Sequence, residues 1–227
     1  MAKKPDANDR RRRVSDMKAQ QKKAERRTTY IFVAVAALAA AALIGGAVTF
    51  GGGGGGRLDV RTLGEKEADA KCGEVEVAST PPTGQHVDGA VNYATTPPTG
   101  GDHSGSTAPA NRHFYDRDGD VGPERLVHNL EHGYVVAWYD EQASDDEINA
   151  LRTISKNVSD AGPSYGRKFI VAPHLRGNFE GDNNVAISAW GASQLCGEVS
   201  GEAIDDFLND FRGPDGPKST APEKGNA

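Results

Sequence analysis

Sulfur is scarce in this chain: 227 residues hold two cysteines and two methionines. Cys72 and Cys196 stand in no CxxC pair and beside no histidine, which argues against a thiolate metal site or a redox pair and favours a disulfide between them. Such a bond closes a loop of about 125 residues and, in the chain-entropy account, contributes about 4–5 kcal/mol. Both methionines, Met1 and Met17, fall within the first 28 residues. With no thioether and no free thiol further along, a soft Cu(I) site is disfavoured there.

Charge is missing from one stretch and unbalanced on either side of it. Residues 30–50 contain no Asp, Glu, Lys or Arg, and a hydrocarbon core of roughly 30 Å takes an uncharged helix of about that length. A transmembrane helix is therefore expected over 29–50. A cleavable signal peptide has a shorter apolar core of about 7–15 residues, so a retained anchor is the better reading. Residues 1–28 carry eleven Lys/Arg against four Asp/Glu, which places this basic segment in the cytoplasm and the rest of the chain outside the cell membrane. Arg26-Arg27 is unremarkable as a pair within so basic a segment. Contact with anionic lipid is its expected role, not nucleic-acid binding.

Residues 51–57 open with six consecutive glycines and read as a flexible linker. From 51 onward, fifteen Lys/Arg face twenty-eight Asp/Glu. That balance disfavours nucleic acid as a partner and favours cations. A folded extracytoplasmic domain is expected over 58–212, followed by a polar, breaker-rich tail over 213–227 that reads as disordered.

The domain reads as α+β, a small mixed or antiparallel sheet with two or three helices. Segments 74–78, 134–139, 168–172 and 185–190 are rich in β-branched and aromatic residues and are predicted strands. Ser144 and Glu147 form a capping box that opens a helix with Ile148, Leu151 and Ile154 on one face. A C-terminal helix begins after Ser200, presents Ile204, Phe207, Leu208 and Phe211 on one face, and stops at Gly213-Pro214. Pro123 and Gly133 bracket a third, short helix. Residues 81–122 are dominated by Pro, Gly, Thr and Asp and are predicted to be ordered loop. Within them Asp116 to Gly122 resembles a calcium loop, but it lacks the required glycine and glutamate and is better read as an Asp-Gly turn.

Histidines cluster in two patterns. Thr80-Pro-Pro-Thr-Gly-Gln-His86 is echoed by Thr96-Pro-Pro-Thr-Gly-Gly-Asp-His103, each a proline-stiffened turn leading to an imidazole. His128 and His132 are four apart on the short helix, so one face presents both. The chain resembles a family of membrane-anchored actinobacterial proteins known only as a domain of unknown function. The resemblance rests on His86-Val with Val91-Asn-Tyr93, on Pro97-Pro-Thr-Gly-Gly-x-His103, on Leu126-Val-His-Asn-Leu-Glu-His-Gly133 with Val135-Val-x-Trp-Tyr139, and on Ala189-Trp-Gly191 ahead of Cys196. It implies the same topology and a histidine-bearing outer domain, and it brings no established activity to carry over.

Four imidazoles on stiff backbone point to a metal: His86, His103, His128 and His132 are the candidate ligands for Zn(II) or Cu(II). Glu131 and Asp102 are candidates for a fifth ligand or for orienting an imidazole. The competing reading is a non-catalytic envelope interaction module whose histidines serve structure. A third reading takes His128-x-x-Glu131-His132 as the HxxEH motif of zinc hydrolases. It is the weakest, because the helix stops at Gly133 and such enzymes are larger; the chain reads more as a binding protein than as an enzyme. His113 and His174 read as ordinary loop or surface histidines.

Overall fold

A computed structural model describes residues 59–119, 121–160, 168–213 and 216–223. The segments read as basic head, membrane span and glycine linker (1–57) lie outside the described residues. Among the described residues no helix is long and apolar enough to cross a membrane.

The architecture is α+β around a mixed five-stranded sheet. The strands are β1 (Glu76–Val77), β2 (Val135–Tyr139), β3 (Phe169–Pro173), β4 (Val185–Ala189) and β5 (Ala192–Cys196), in the order β1-β5-β4-β2-β3. Three helices accompany them among the described residues: α1 (Pro123–Glu131), α2 (Asp145–Ser159) and α3 (Gly201–Phe211). β2 and β3 run parallel, with α2 in the connection between them, and the other pairings are antiparallel.

β2, β3 and β4 are buried along their whole length, as strands covered on both faces must be. Their side chains alternate between two cores. Val135, Ala137 and Tyr139 pack with Phe169, Val171, Val185 and Ile187 against Ile148, Leu151 and Ile154 of α2 and Ile204, Phe207 and Leu208 of α3. Val136 and Trp138 join Ile170, Ala172 and Ala186 against Leu126, Val127 and Leu130 of α1. The helix carrying the paired histidines thus lies on the opposite face of the sheet from the other two.

The helix ends follow from local chemistry. Ser144 Oγ accepts the Glu147 N–H while the Glu147 carboxylate accepts the Ser144 N–H, which satisfies two otherwise unpaired donors. Ser200 Oγ accepts from the Ala203 N–H at the start of α3. α1 begins with proline at its first position and ends where Gly133 turns to φ +80°, a conformation that costs glycine little.

Two features depart from the sequence expectation. The strand β5 is missing from it because Ala-Ser-Gln-Leu-Cys has little β propensity. Its pairing with β4 comes from the tight Trp190-Gly191 turn and from burial. Residues 216–223, read as part of a disordered tail, instead form an ordered strap: Ala221 is 5% exposed in the second core, the Thr220 hydroxyl donates to the Trp190 carbonyl at 2.7 Å, and the Glu223 N–H donates to the Glu131 carbonyl at 3.1 Å. Cys72 and Cys196 are disulfide-bonded across 124 residues, tying the segment before β1 to the end of β5.

Candidate metal centre

The two echoed turns meet in space. His86 and His103 form an isolated parallel bridge, with the Val87 N–H donating to the His103 carbonyl at 2.8 Å and the His103 N–H to the Gln85 carbonyl at 3.0 Å. Counted back from each histidine, Gly84 answers to Gly101, and the fit demands glycine: a Cβ on Gly84 would overlap the Gly101 carbonyl oxygen. The hairpin turn between β4 and β5 holds both segments, since Trp190 Nε1 donates to the Pro82 carbonyl at 3.0 Å and the Gly191 N–H to the Thr99 carbonyl at 2.7 Å. The Trp190 ring also stands edge-on to His103, centroids 6.0 Å apart.

α1 presents His128 to this bridge. Ring centroids are 4.7 Å apart for His86 and His128, 5.0 Å for His103 and His128, and 5.1 Å for His86 and His103. Glu131, one turn along, closes the group. Donor atoms of His86, His103, His128 and Glu131 all lie within 4.8 Å of one another.

Tautomers are set by the backbone. His103 Nδ1 lies 2.8 Å from the Gly101 carbonyl oxygen and His128 Nδ1 lies 2.8 Å from the Ser104 carbonyl oxygen. A carbonyl only accepts, so each Nδ1 carries the hydrogen and each Nε2 keeps a bare lone pair. The backbone carbonyl thereby orients a ligand ring as it does in established histidine metal sites. Ser104 is itself held by the carbonyl of Glu124, and the neighbouring loop is pinned where the buried Asn129 side chain accepts the Ala108 N–H at 2.8 Å and donates to the Ala108 carbonyl at 3.2 Å.

His103 is fully buried, and its Nε2 sits 3.1 Å from Glu131 Oε2 without a hydrogen bond. The oxygen stands off the axis of the ring nitrogen, so this buried nitrogen is left unsatisfied unless an ion beside both atoms takes up its lone pair. Donors about 3 Å apart suit an ion with bonds of about 2.0–2.2 Å to nitrogen and oxygen. His86 is exposed, so one side of the group stays open to solvent. Burial holds His128 below the usual histidine range, helped by the imidazoles of His103, His132 and His86 and opposed by its bond to Ser104. A neutral imidazole is the ligating form.

The other candidates fall as follows. His132 stacks on His128, with the two Nε2 atoms 3.1 Å apart, but its donor groups with Glu131 and Glu223. Glu131, expected as a fifth ligand or an orienting partner, stands among the donors themselves. Asp102 touches backbone: its Oδ1 accepts the Gln85 N–H at 3.0 Å and stiffens the residue before His86. An HxxEH hydrolase uses both motif histidines as ligands and the glutamate as its base; here Glu131 groups with the donors of His103 and His128, the place of a ligand. His113 and His174 lie outside the group, with Nδ1 at the carbonyls of Phe169 and Gly177, and His174 is buried. Glu223 and the two carbonyl partners had no sequence signal, the first because it lies among breakers and the others because any residue supplies a carbonyl.

No curated protein and no solved structure matches the chain significantly. Residues 86–225 match the family described as protein of unknown function, DUF3105, and they begin at the first histidine of the cluster and run through the strap, so the chain belongs to that family.

Proposed function

We propose that this protein is a membrane-anchored, extracytoplasmic domain that binds a transition metal ion, Zn(II) or Cu(II), through His86, His103, His128 and Glu131. The observation that carries the reading is the pair of backbone carbonyls that commit the Nδ1 atoms of His103 and His128, leaving their Nε2 atoms as the donors of a group that, with His86 and Glu131, lies within 4.8 Å. Three neutral imidazoles and one carboxylate suit borderline divalent ions of this kind.

The anchor and its orientation are supported by the uncharged run over 30–50 behind eleven basic residues. A disulfide also suits an oxidising compartment.

The test is elemental analysis of the full chain purified in detergent, with calorimetric titration of zinc and of copper, beside a His103→Ala/His128→Ala variant. Bound metal that disappears in the variant while circular dichroism keeps the folded signature supports the site. A wild-type chain that takes up neither metal overturns it. For topology, the chain is expected in the membrane pellet with its C-terminal domain open to protease added outside intact cells; recovery in the soluble fraction would count against the anchor.

A further inference from the structure

The group around Glu131 does not end with its first four donors. Donor atoms of Glu131, His132 and Glu223 also lie within 4.8 Å of one another, and His132 Nε2 is 3.7 Å from Glu223 Oε2. Glu131 is common to both groups and has two oxygens. One of them, Oε2, lies 3.1 Å from His103 Nε2. A carboxylate shared in this way spans two ions about 3.5–4 Å apart, the separation typical of two-metal sites.

We infer that the protein holds a second divalent metal ion, ligated by Glu131, His132 and Glu223 and bridged through Glu131 to the first. The inference rests on the metal-binding reading above. Its independent support is the strap. Backbone bonds from Lys218 to the Asp210 carbonyl and from Glu223 to the Glu131 carbonyl, the Thr220 bond to Trp190 and the buried Ala221 fix the chain on both sides of the turn. The polar strap therefore delivers a carboxylate to this place instead of sweeping through solvent. His132 adds a second reason: its Nδ1 is buried without a hydrogen-bond partner, and its other nitrogen meets only His128 and Glu223 among the described residues. A buried, unsatisfied nitrogen on this partly exposed ring calls for a partner, and an ion among Glu131, His132 and Glu223 would supply one.

Charge favours the pair. Two divalent ions against Glu131 and Glu223 leave a net positive charge, which suits an anionic oxygen ligand, hydroxide or a substrate carboxylate or phosphate, at the solvent side near exposed His86. The second ion would also latch the strap over α1, because Glu223 is 61% exposed on its side chain and has no other ion-pair partner than His132 among the described residues.

The experiment uses the full chain with Zn²⁺ and Cu²⁺ as probes, comparing wild type, Glu223→Gln and His132→Ala. Wild type is expected to bind two zinc ions per chain in separable steps. Glu223→Gln should keep the first step and weaken the second by about 10–100-fold, the range for losing one supporting group at a metal. With copper, paramagnetic resonance should report a coupled pair in wild type and an isolated ion in Glu223→Gln. One ion per chain in wild type with Glu223→Gln unchanged overturns the second site and leaves the first standing. One ion whose affinity collapses in His132→Ala overturns it too, making His132 a fifth donor to a single ion. No ion in wild type removes the metal reading altogether.

Discussion

His103 Nε2 and Glu131 Oε2 lie 3.1 Å apart with no hydrogen bond between them. The imidazole hydrogen is spent on Gly101, so without a cation this is a contact between two acceptors. It is a stored conflict that a metal ion would relieve. Glu131→Gln should separate stability from binding, because the new amide can donate to Nε2. The metal-free protein is expected to gain about 1 kcal/mol, the net value of one hydrogen bond, in place of a buried unsatisfied pair. Zinc affinity should fall by at least about tenfold with the loss of a charged ligand. Chemical denaturation in chelator and zinc titration of the same samples read the two effects, and a variant that loses stability without losing zinc would contradict the account.

Protonation provides a second check. The folded pKa of His128 lies below that of the unfolded chain, chiefly because of burial. As pH falls through the ordinary histidine range of about 6.5, the unfolded chain takes up a proton that the folded one refuses. The stability this group contributes is therefore intact above that range and is lost on acidification toward the folded value. Zinc binding should weaken over the same interval as protons compete for the imidazole. Denaturation of the metal-free protein at pH 7.5 and 5.5 is expected to show the loss, and His128→Gln should reduce the difference between the two.

Helix α1 and its i, i+4 histidines were legible because local chemistry decides them: proline opens the helix and a positive-φ glycine ends it. The capping box of α2 and the apolar faces of α2 and α3 were legible for the same reason. β5 was not, since its pairing depends on a neighbour and a turn. The meeting of His86 with His103 was visible only as a repeated phrase in sequence. What joins the phrases is a close backbone approach at Gly84 and Gly101, together with Trp190 about a hundred residues away. Glu131 looked like an accessory because it sits between two histidines. Only the third dimension turns it toward a histidine from another segment. Glu223 lies among prolines and polar residues whose order comes from one buried alanine and a few hydrogen bonds, and no local pattern announces that.

The Gly84 approach makes its own prediction. Replacing it with alanine puts a methyl into the Gly101 carbonyl, and neither backbone can yield without moving His103. Gly84→Ala is expected to cost about 1–3 kcal/mol, as overpacking does, and to abolish zinc binding at ordinary concentrations. Gly105→Ala is the control: its new Cβ would lie 3.9 Å from His86 Cβ, an ordinary contact, so it should leave zinc uptake in place. Equal loss in both variants would mean that the loop is merely sensitive, not built around the glycine contact.

The disulfide should act on stability and leave the centre alone. Cys196 belongs to the core packed against α2 and α3, with Cys72 against it, whereas α1 and its histidines lie across the sheet. Closing a loop of about 125 residues lowers the entropy of the unfolded chain, and removing the bond typically costs about 2–5 kcal/mol. Cys72→Ser/Cys196→Ser should therefore unfold at lower denaturant concentration, while zinc affinity measured at a temperature where the variant remains folded should stay within about threefold of wild type, because distant, independent sites act nearly additively. If zinc were lost as well, the two faces of the sheet would be coupled, and the hairpin turn at Trp190 would be the place to look for the coupling, since it adjoins β5 and holds both histidine-bearing turns.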